Sequence, residues 1–269
     1  MVLHDCYENY NNLTRKPPQM PHPLRRSPAF LGLFLSAFLV SQPVARAVLV
    51  IDDFDAFSFL SVGGPPAGGM SNFAAYSTSQ ALGLERDAVI TRDSANSGSV
   101  SMDISGSVAS QLSYASAPFT SGQLMLSYDG IDGSAGLNPI GLGNIDITQS
   151  GANTGLFLRS TSDLGAELVF TIYTDANHFS TATIPILADS SFTFQDYFTP
   201  FALFASGGSL GGADFTRVGA ITLWLDGSTP GTDVSLETII SAPTPVPEPG
   251  SSLLLGLAAM TYLRHRRRA

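Results

Sequence analysis

Ile221-Thr222-Leu223-Trp224-Leu225-Asp226-Gly227 alternates with period two and ends on a turn pair, the pattern of a half-buried strand running into a reverse turn. Strict alternation places Ile221, Leu223 and Leu225 on one face and Trp224 on the other. The pattern recurs in Glu167-Leu168-Val169-Phe170-Thr171-Ile172-Tyr173, where Leu168, Phe170 and Ile172 share a face, and in Leu124-Met125-Leu126-Ser127-Tyr128, which ends at Asp129-Gly130. Further strands are expected over 48–54, 99–105, 143–148, 155–159, 179–186, 191–194 and 233–240. Glycine-rich loops fall at 63–69 and 207–212, and no segment has the spacing of an amphipathic helix. About ten short strands at this spacing predict an all-β body, a jelly-roll-like β-sandwich.

The charges divide unevenly around that body. Residues 1–47 carry 5 basic and 2 acidic side chains, residues 48–246 carry 4 and 19, and residues 247–269 carry 4 and 1. The chain's formal net charge of −9 is therefore the sum of +3, −15 and +3. Between 48 and 246 there is no lysine and no cysteine, a single histidine, His178, and arginine only at 86, 92, 159 and 217. Nucleic acid is excluded as a partner, because binding a polyanion needs clustered cations to release its counterions. Disulfide staples, Cys/His zinc sites and cysteine catalysis lack their atoms.

Both ends read as processing segments. His22, Arg25 and Arg26 precede an apolar run over 29–40, followed by Ala45-Arg46-Ala47, the order of a secretory signal peptide with signal peptidase cutting after Ala47. Residues 1–19 are polar and contribute nothing to such a signal, so either translation begins at Met20 or the n-region is unusually long. At the other end, alternating prolines over 243–249 form an extended spacer, followed by an apolar stretch over 251–263 and Arg264-His265-Arg266-Arg267-Arg268. As a helix that stretch reaches only about 20 Å across a hydrocarbon core of about 30 Å, which suits a transient inner-membrane anchor. The arginines hold the tail in the cytoplasm and leave the body outside.

This tripartite end, with Val246-Pro247-Glu248-Pro249 at its start, resembles the PEP-CTERM sorting signal of exported bacterial proteins. The resemblance implies recognition by an exosortase, a membrane-embedded cysteine transpeptidase, cleavage near 247–249, and release or transfer to the surface of a Gram-negative bacterium that makes exopolysaccharide. The domain plan is then an extension and signal peptide over 1–47, an exported sandwich over 48–242, and a sorting signal over 243–269.

The body has a second resemblance. Val50-Ile51-Asp52-Asp53-Phe54 and Gly231-Thr232-Asp233-Val234-Ser235-Leu236-Glu237-Thr238-Ile239 are similar to the first and last strands of galactose-binding-like jelly-roll modules. That likeness implies that the terminal strands lie side by side and that acidic residues there hold a structural Ca²⁺, with Asp52, Asp53 and Asp233 as ligands. Carboxylates are the hard oxygen donors that calcium takes.

Other motifs carry less chemistry. Asp129-Gly130-Ile131-Asp132-Gly133 lacks the alternate-position acids of an EF-hand and reads as a plain turn. Gly207-Gly208-Ser209-Leu210-Gly211 matches the G-x-S-x-G elbow formally, but no helix follows it and the later histidine, His265, sits in the tail. His178 lies between strands as a surface histidine. Trp224, with Tyr128 or with Tyr114, Tyr173 or Tyr197, is the candidate platform for stacking a sugar ring, the alternative being that Trp224 packs in the core. Phe192, Phe194, Phe198, Phe201 and Phe204 are expected to cap one end of the core. The leading reading is a non-enzymatic, exosortase-processed surface or matrix protein associated with exopolysaccharide. The alternative is a calcium-stabilised carbohydrate-binding module.

Overall fold

A computed structural model describes residues 48–63, 69–93, 97–104 and 110–245, all within Arg46–Ala269, the second of the chain's two compact units. Ala45 and Ala47 of the expected cleavage site, and Val246, Pro247, Glu248 and Pro249 of the sorting motif, lie outside the described residues.

The strands are β1 (Leu49–Asp52), β2 (Ser58–Val62), β3 (Met70–Ser77), β4 (Glu85–Arg92), β5 (Val100–Ile104), β6 (Leu112–Ser116), β7 (Gly122–Tyr128), β8 (Gly155–Ser162), β9 (Ala166–Asp175), β10 (His178–Ile186), β11 (Gln195–Pro200), β12 (Ala205–Ser206), β13 (Ala220–Gly227) and β14 (Asp233–Ala242), with one 3₁₀ turn at Phe201–Leu203. The first sheet runs β11-β8-β14-β6-β5-β2, and β1 pairs with β14 beyond β6. The second runs β12-β10-β9-β13-β7-β4-β3. Strands pass between the sheets singly or in pairs as the chain proceeds, and the named strands pair antiparallel, the winding of a jelly-roll sandwich.

The core lies between the sheets and is built by alternation. Leu156 and Leu158 of β8, Val234, Leu236 and Ile239 of β14, and Met102 and Ile104 of β5 face Leu168, Phe170 and Ile172 of β9, Leu124 and Leu126 of β7, and Ile221, Leu223 and Leu225 of β13. All are buried. Each such side chain contributes about 1.5–3 kcal/mol by leaving water. The terminal strands pair as expected, Leu49 opposite Ser241 and Val50 opposite Ile240. A register shift in β14 between Leu236 and Thr238 changes which parity faces inward, so that Ile239 follows Leu236 into the core.

Two expected strands do not form, for one reason. Over 143–148, Asp146 turns its carboxylate onto the chain and accepts from the Thr148 and Ser150 N–H groups at 2.9 and 2.8 Å. Over 191–194, Asp189 accepts from the Ser191 and Thr193 N–H groups at 2.8 and 3.3 Å. These aspartate-headed turns use the N–H groups that a strand would offer to a neighbour; the second gives way to β11, which starts at Gln195. Of the five phenylalanines expected at one end of the core, Phe201 and Phe204 do pack there, in a ring cluster with Phe215. Phe192 is exposed, and Phe194 lies against the Arg159 guanidinium.

Candidate functional site

Strand β4 places buried charged side chains on both sides of the second sheet, Arg86 on one and Glu85 and Asp87 on the other. Even-numbered Arg86 points into the core beside Ala88 and Ile90. Its Nε and Nη2 donate to the two oxygens of Asp52 at 2.5 and 2.6 Å, its Nη1 donates to Ser58 Oγ at 3.2 Å, and its guanidinium lies 5.4 Å from the Phe54 ring centre. Asp52 accepts two further bonds, from Tyr128 Oη and from the Phe54 N–H, both at 2.9 Å. β1 and β2 belong to the first sheet and β4 and β7 to the second, so this cluster ties the sheets together. Burial alone would lower the Arg86 pKa; the bonds and charge of Asp52 outweigh it and hold the guanidinium above its ordinary value.

Odd-numbered Glu85 and Asp87 point to the outer side, where the connection 129–154 after β7 covers them. Glu85, Asp87 and Asp129 are 3 %, 2 % and 1 % exposed. One oxygen each from Glu85, Asp87 and Asp132 lie within 4.8 Å of one another. Glu85 Oε1 accepts from the N–H groups of Asp132 and Gly133, both at 2.9 Å, which holds the loop against β4. Asp129 Oδ2 accepts from the Asn138 N–H at 2.5 Å. No donor reaches either oxygen of Asp87 or the Oδ1 of Asp129. A proton shared with Asp129 is the one hydrogen bond open to Asp87, and burial, with the Asp129, Glu85 and Asp132 charges behind it, pushes the Asp87 carboxyl up to about 8. Asp129 is raised too, by burial against the opposing bond from Asn138. The loop closes tightly over this cluster: a side chain at Gly141 would meet the Asp129 carbonyl oxygen at 1.7 Å.

The same outer face carries the single tryptophan. The register aligns Phe73, Val89, Met125, Trp224, Val169 and Thr183 in one row across β3, β4, β7, β13, β9 and β10. Trp224 is half-buried there, and its Nε1 donates to Gln123 Oε1 at 3.2 Å. Phe73 is exposed at the end of the row.

In sequence, the Pro-Val-Pro-Glu-Pro stretch, the apolar run and the arginine cluster come after the last strand. Residues 245–268 match the PEP-CTERM protein-sorting motif. The sorting motif implies an exported protein, an exosortase as its processing partner, and transient membrane anchoring before cleavage. No curated protein matches the chain by sequence. Among solved structures, the family 11 carbohydrate-binding module from Clostridium thermocellum in complex with a β-1,3-1,4-mixed-linked tetrasaccharide aligns at a TM-score of 0.35 and 12% identity, over 73% of this chain and 96% of that one. The family 29 module from Piromyces equi aligns at 0.32 and 10%, over 74% and 91%. An agarase aligns at 0.39 and 11%, over 75% of this chain and 25% of its own. Among the described residues, which stop short of the apolar part of the sorting motif, no helix is long and apolar enough to cross a membrane.

The residues singled out from the sequence fare unequally. Asp52, Asp53 and Asp233 are not brought together as calcium ligands. Asp52 is fully occupied by Arg86, Tyr128 and the Phe54 N–H. Asp53 lines an open groove with Ser110, Glu237 and Thr238. Asp233 starts β14, whereas Asp52 pairs with Ile239, about 20 Å further along that strand; the Asp233 N–H donates to Asp163. Tyr128 is no sugar platform either. Alternation along β7 sends it inward with Leu124 and Leu126, where it is fully buried. Tyr114 is likewise in the core, and Tyr197 packs against it. Tyr173 does share the outer face with Trp224, tilted against Phe179 with ring centres 5.3 Å apart, but four residues away along β9, about 13 Å. Ser209 Oγ donates to Asn177 Oδ1 at 3.1 Å, while His178 Nδ1 meets Asp175 at 2.9 Å, so no nucleophile–base bond joins Ser209 to His178. The Glu85–Asp87–Asp129–Asp132 cluster was missed because its halves are more than forty residues apart in sequence. The one local signal was Asp129-Gly130-Ile131-Asp132-Gly133.

Proposed function

We propose that the chain is a non-enzymatic surface or matrix protein of a Gram-negative bacterium, released from its membrane anchor by exosortase and held in exopolysaccharide through its acidic sandwich. The observation that carries this reading is the sorting motif over 245–268, placed directly after an all-β body of charge −15. Signal peptidase would cut after Ala47 and exosortase near 247–249, leaving 48–242 with its short spacer as the working protein. Mass spectrometry of the exported protein tests it: the C-terminus should fall between Pro247 and Gly250 in cells with exosortase, and an intact Arg264–Arg268 end in the exported fraction would overturn processing.

A second reading, a glycan-binding module, is favoured by the Trp224 row. Phe73 and Trp224 lie three strands apart, about 14 Å, with apolar Val89 and Met125 between them and Gln123 fixing the indole. Sugar faces stack on such rings through their C–H bonds. Affinity electrophoresis of the exported protein against bacterial, algal and plant polysaccharides separates the readings. Retardation lost in Trp224→Ala with an unchanged melting temperature supports a defined glycan site; unaltered mobility on every polysaccharide leaves the matrix role without one.

A further inference from the structure

We propose that Glu85, Asp87, Asp129 and Asp132 bind one calcium ion that clamps the connection 129–154 onto β4. Two oxygens on opposite sides of a Ca²⁺ stand about 4.6–5.2 Å apart, and one oxygen each from Glu85, Asp87 and Asp132 fit within 4.8 Å. Asp129 sets a fourth carboxylate beside Asp87, with Oδ1 buried and met by no donor. Both Asp87 oxygens are in the same condition, on a side chain 2 % exposed.

Buried carboxylates persist when a cation or a set of donors answers them. Here no ion pair supplies the cation, and the donors present leave carboxylate oxygens over. Arg86 is committed to Asp52 across the sheet and Arg159 to Asp196 and Glu237, and no ion pair among the described residues engages the four acids. The donors that do reach the cluster hold it in place and leave oxygens over. Asp132 N–H and Gly133 N–H take Glu85 Oε1, and Asn138 N–H takes Asp129 Oδ2. An all-oxygen, all-carboxylate set without histidine or cysteine selects a hard cation. Calcium accepts six to eight such ligands in a protein cage, whereas Mg²⁺ needs a tighter octahedron and keeps its waters. The site is separate from the Trp224 row and stands whether or not that row binds glycan.

The test uses the full chain in detergent, stripped with EGTA and titrated with CaCl₂ by calorimetry, with MgCl₂ at matched ionic strength beside it. One calcium per chain is expected, with Kd of about 10⁻⁴–10⁻³ M, as for other extracellular modules. At about 100 times Kd the melting temperature should rise by about 5–10 °C, with magnesium giving far less. Asp87→Asn should abolish the rise. Asp132→Asn, at an exposed position, should weaken binding at least tenfold while leaving the fold intact. Asp146→Asn, an acid outside the cluster, should leave the calcium-induced rise unchanged. Absence of a stoichiometric heat overturns the proposal. So does a calcium-induced rise that survives equally in Asp132→Asn, Asp87→Asn and Asp146→Asn, which would be screening of the body's net charge.

Discussion

Arg86 and Asp87 are neighbours on β4, both buried, and they face opposite sides of one sheet. On the inner side the chain answers its own charge: Asp52 receives four hydrogen bonds, two of them from the one guanidinium. On the outer side buried Glu85 and Asp87 converge with exposed Asp132, buried Asp129 stands beside Asp87, and no ion pair among the described residues reaches them. The difference lies in who supplies the counter-charge. The inner pair is complete as soon as the sandwich closes, and helps to close it, since its members come from both sheets. The outer cluster depends on what the surrounding solution contains.

Breaking the inner pair should have the largest effect. Arg86→Met leaves Asp52 charged and buried with two of its four donors, and removal of one partner from such a pair costs about 3–5 kcal/mol. Urea unfolding at pH 7 should record that loss, at about 2–4 °C of melting temperature per kcal/mol for a body of this size. Adding Asp52→Asn to Arg86→Met should restore part of it, since the residual charge is gone. If Arg86→Met alone is neutral, the two sides of β4 are not the opposites described.

This opposition also explains what could be read from the sequence. The strands with clean alternation, 124–128, 167–173 and 221–225, are strands, and the exposed side of Trp224 follows from period two alone. The pairing of the first strand with the last holds as well. β4 was invisible because Glu85-Arg86-Asp87 puts charge on both faces, which no apolar pattern registers. The acids that make the cluster therefore hid the strand that presents them. The chemistry of Asp52 suggests calcium, because a sequence gives no sign that an arginine thirty-four positions on will claim it. Tyr128 was misplaced for a simpler reason: its own alternation with Leu124 and Leu126 points it inward.

Next in size is Gly141→Ala. The new methyl would sit 1.7 Å from the Asp129 carbonyl oxygen, so the loop must lift from the cluster. Overpacking of this kind costs about 1–3 kcal/mol. The expected loss is local, with faster amide exchange over 129–142 and weaker calcium binding but protected amides in β9 and β13. A smaller effect comes from pH in the presence of EGTA. The Asp87 carboxyl, near 3.8 when unfolded, stands at about 8 in the fold. Between those values the folded chain holds a proton that the unfolded chain has released, so stability falls as pH rises from about 5 to about 8. Urea midpoints across that range should decline more steeply in the wild type than in Asp87→Asn; parallel slopes would show that the outer carboxyls do not differ from ordinary surface acids.

The smallest effect is expected at Trp224, which lies on the outer side like Asp87 but carries no charge. A large aromatic removed from a core costs about 3–5 kcal/mol. Trp224 is half-buried and donates its indole N–H to Gln123, with the core filled behind it by Leu223 and Leu225. Trp224→Ala should therefore shift stability by about 1 kcal/mol or less, a fraction of the Arg86→Met loss on the opposite side of the same sheet. Since Trp224 is the chain's one tryptophan, the wild-type fluorescence reports this face alone, and acrylamide should quench it in the native state. A native emission inaccessible to acrylamide, or a loss of several kcal/mol in Trp224→Ala, would place the indole in the core and remove the outer face of β13 as a binding surface.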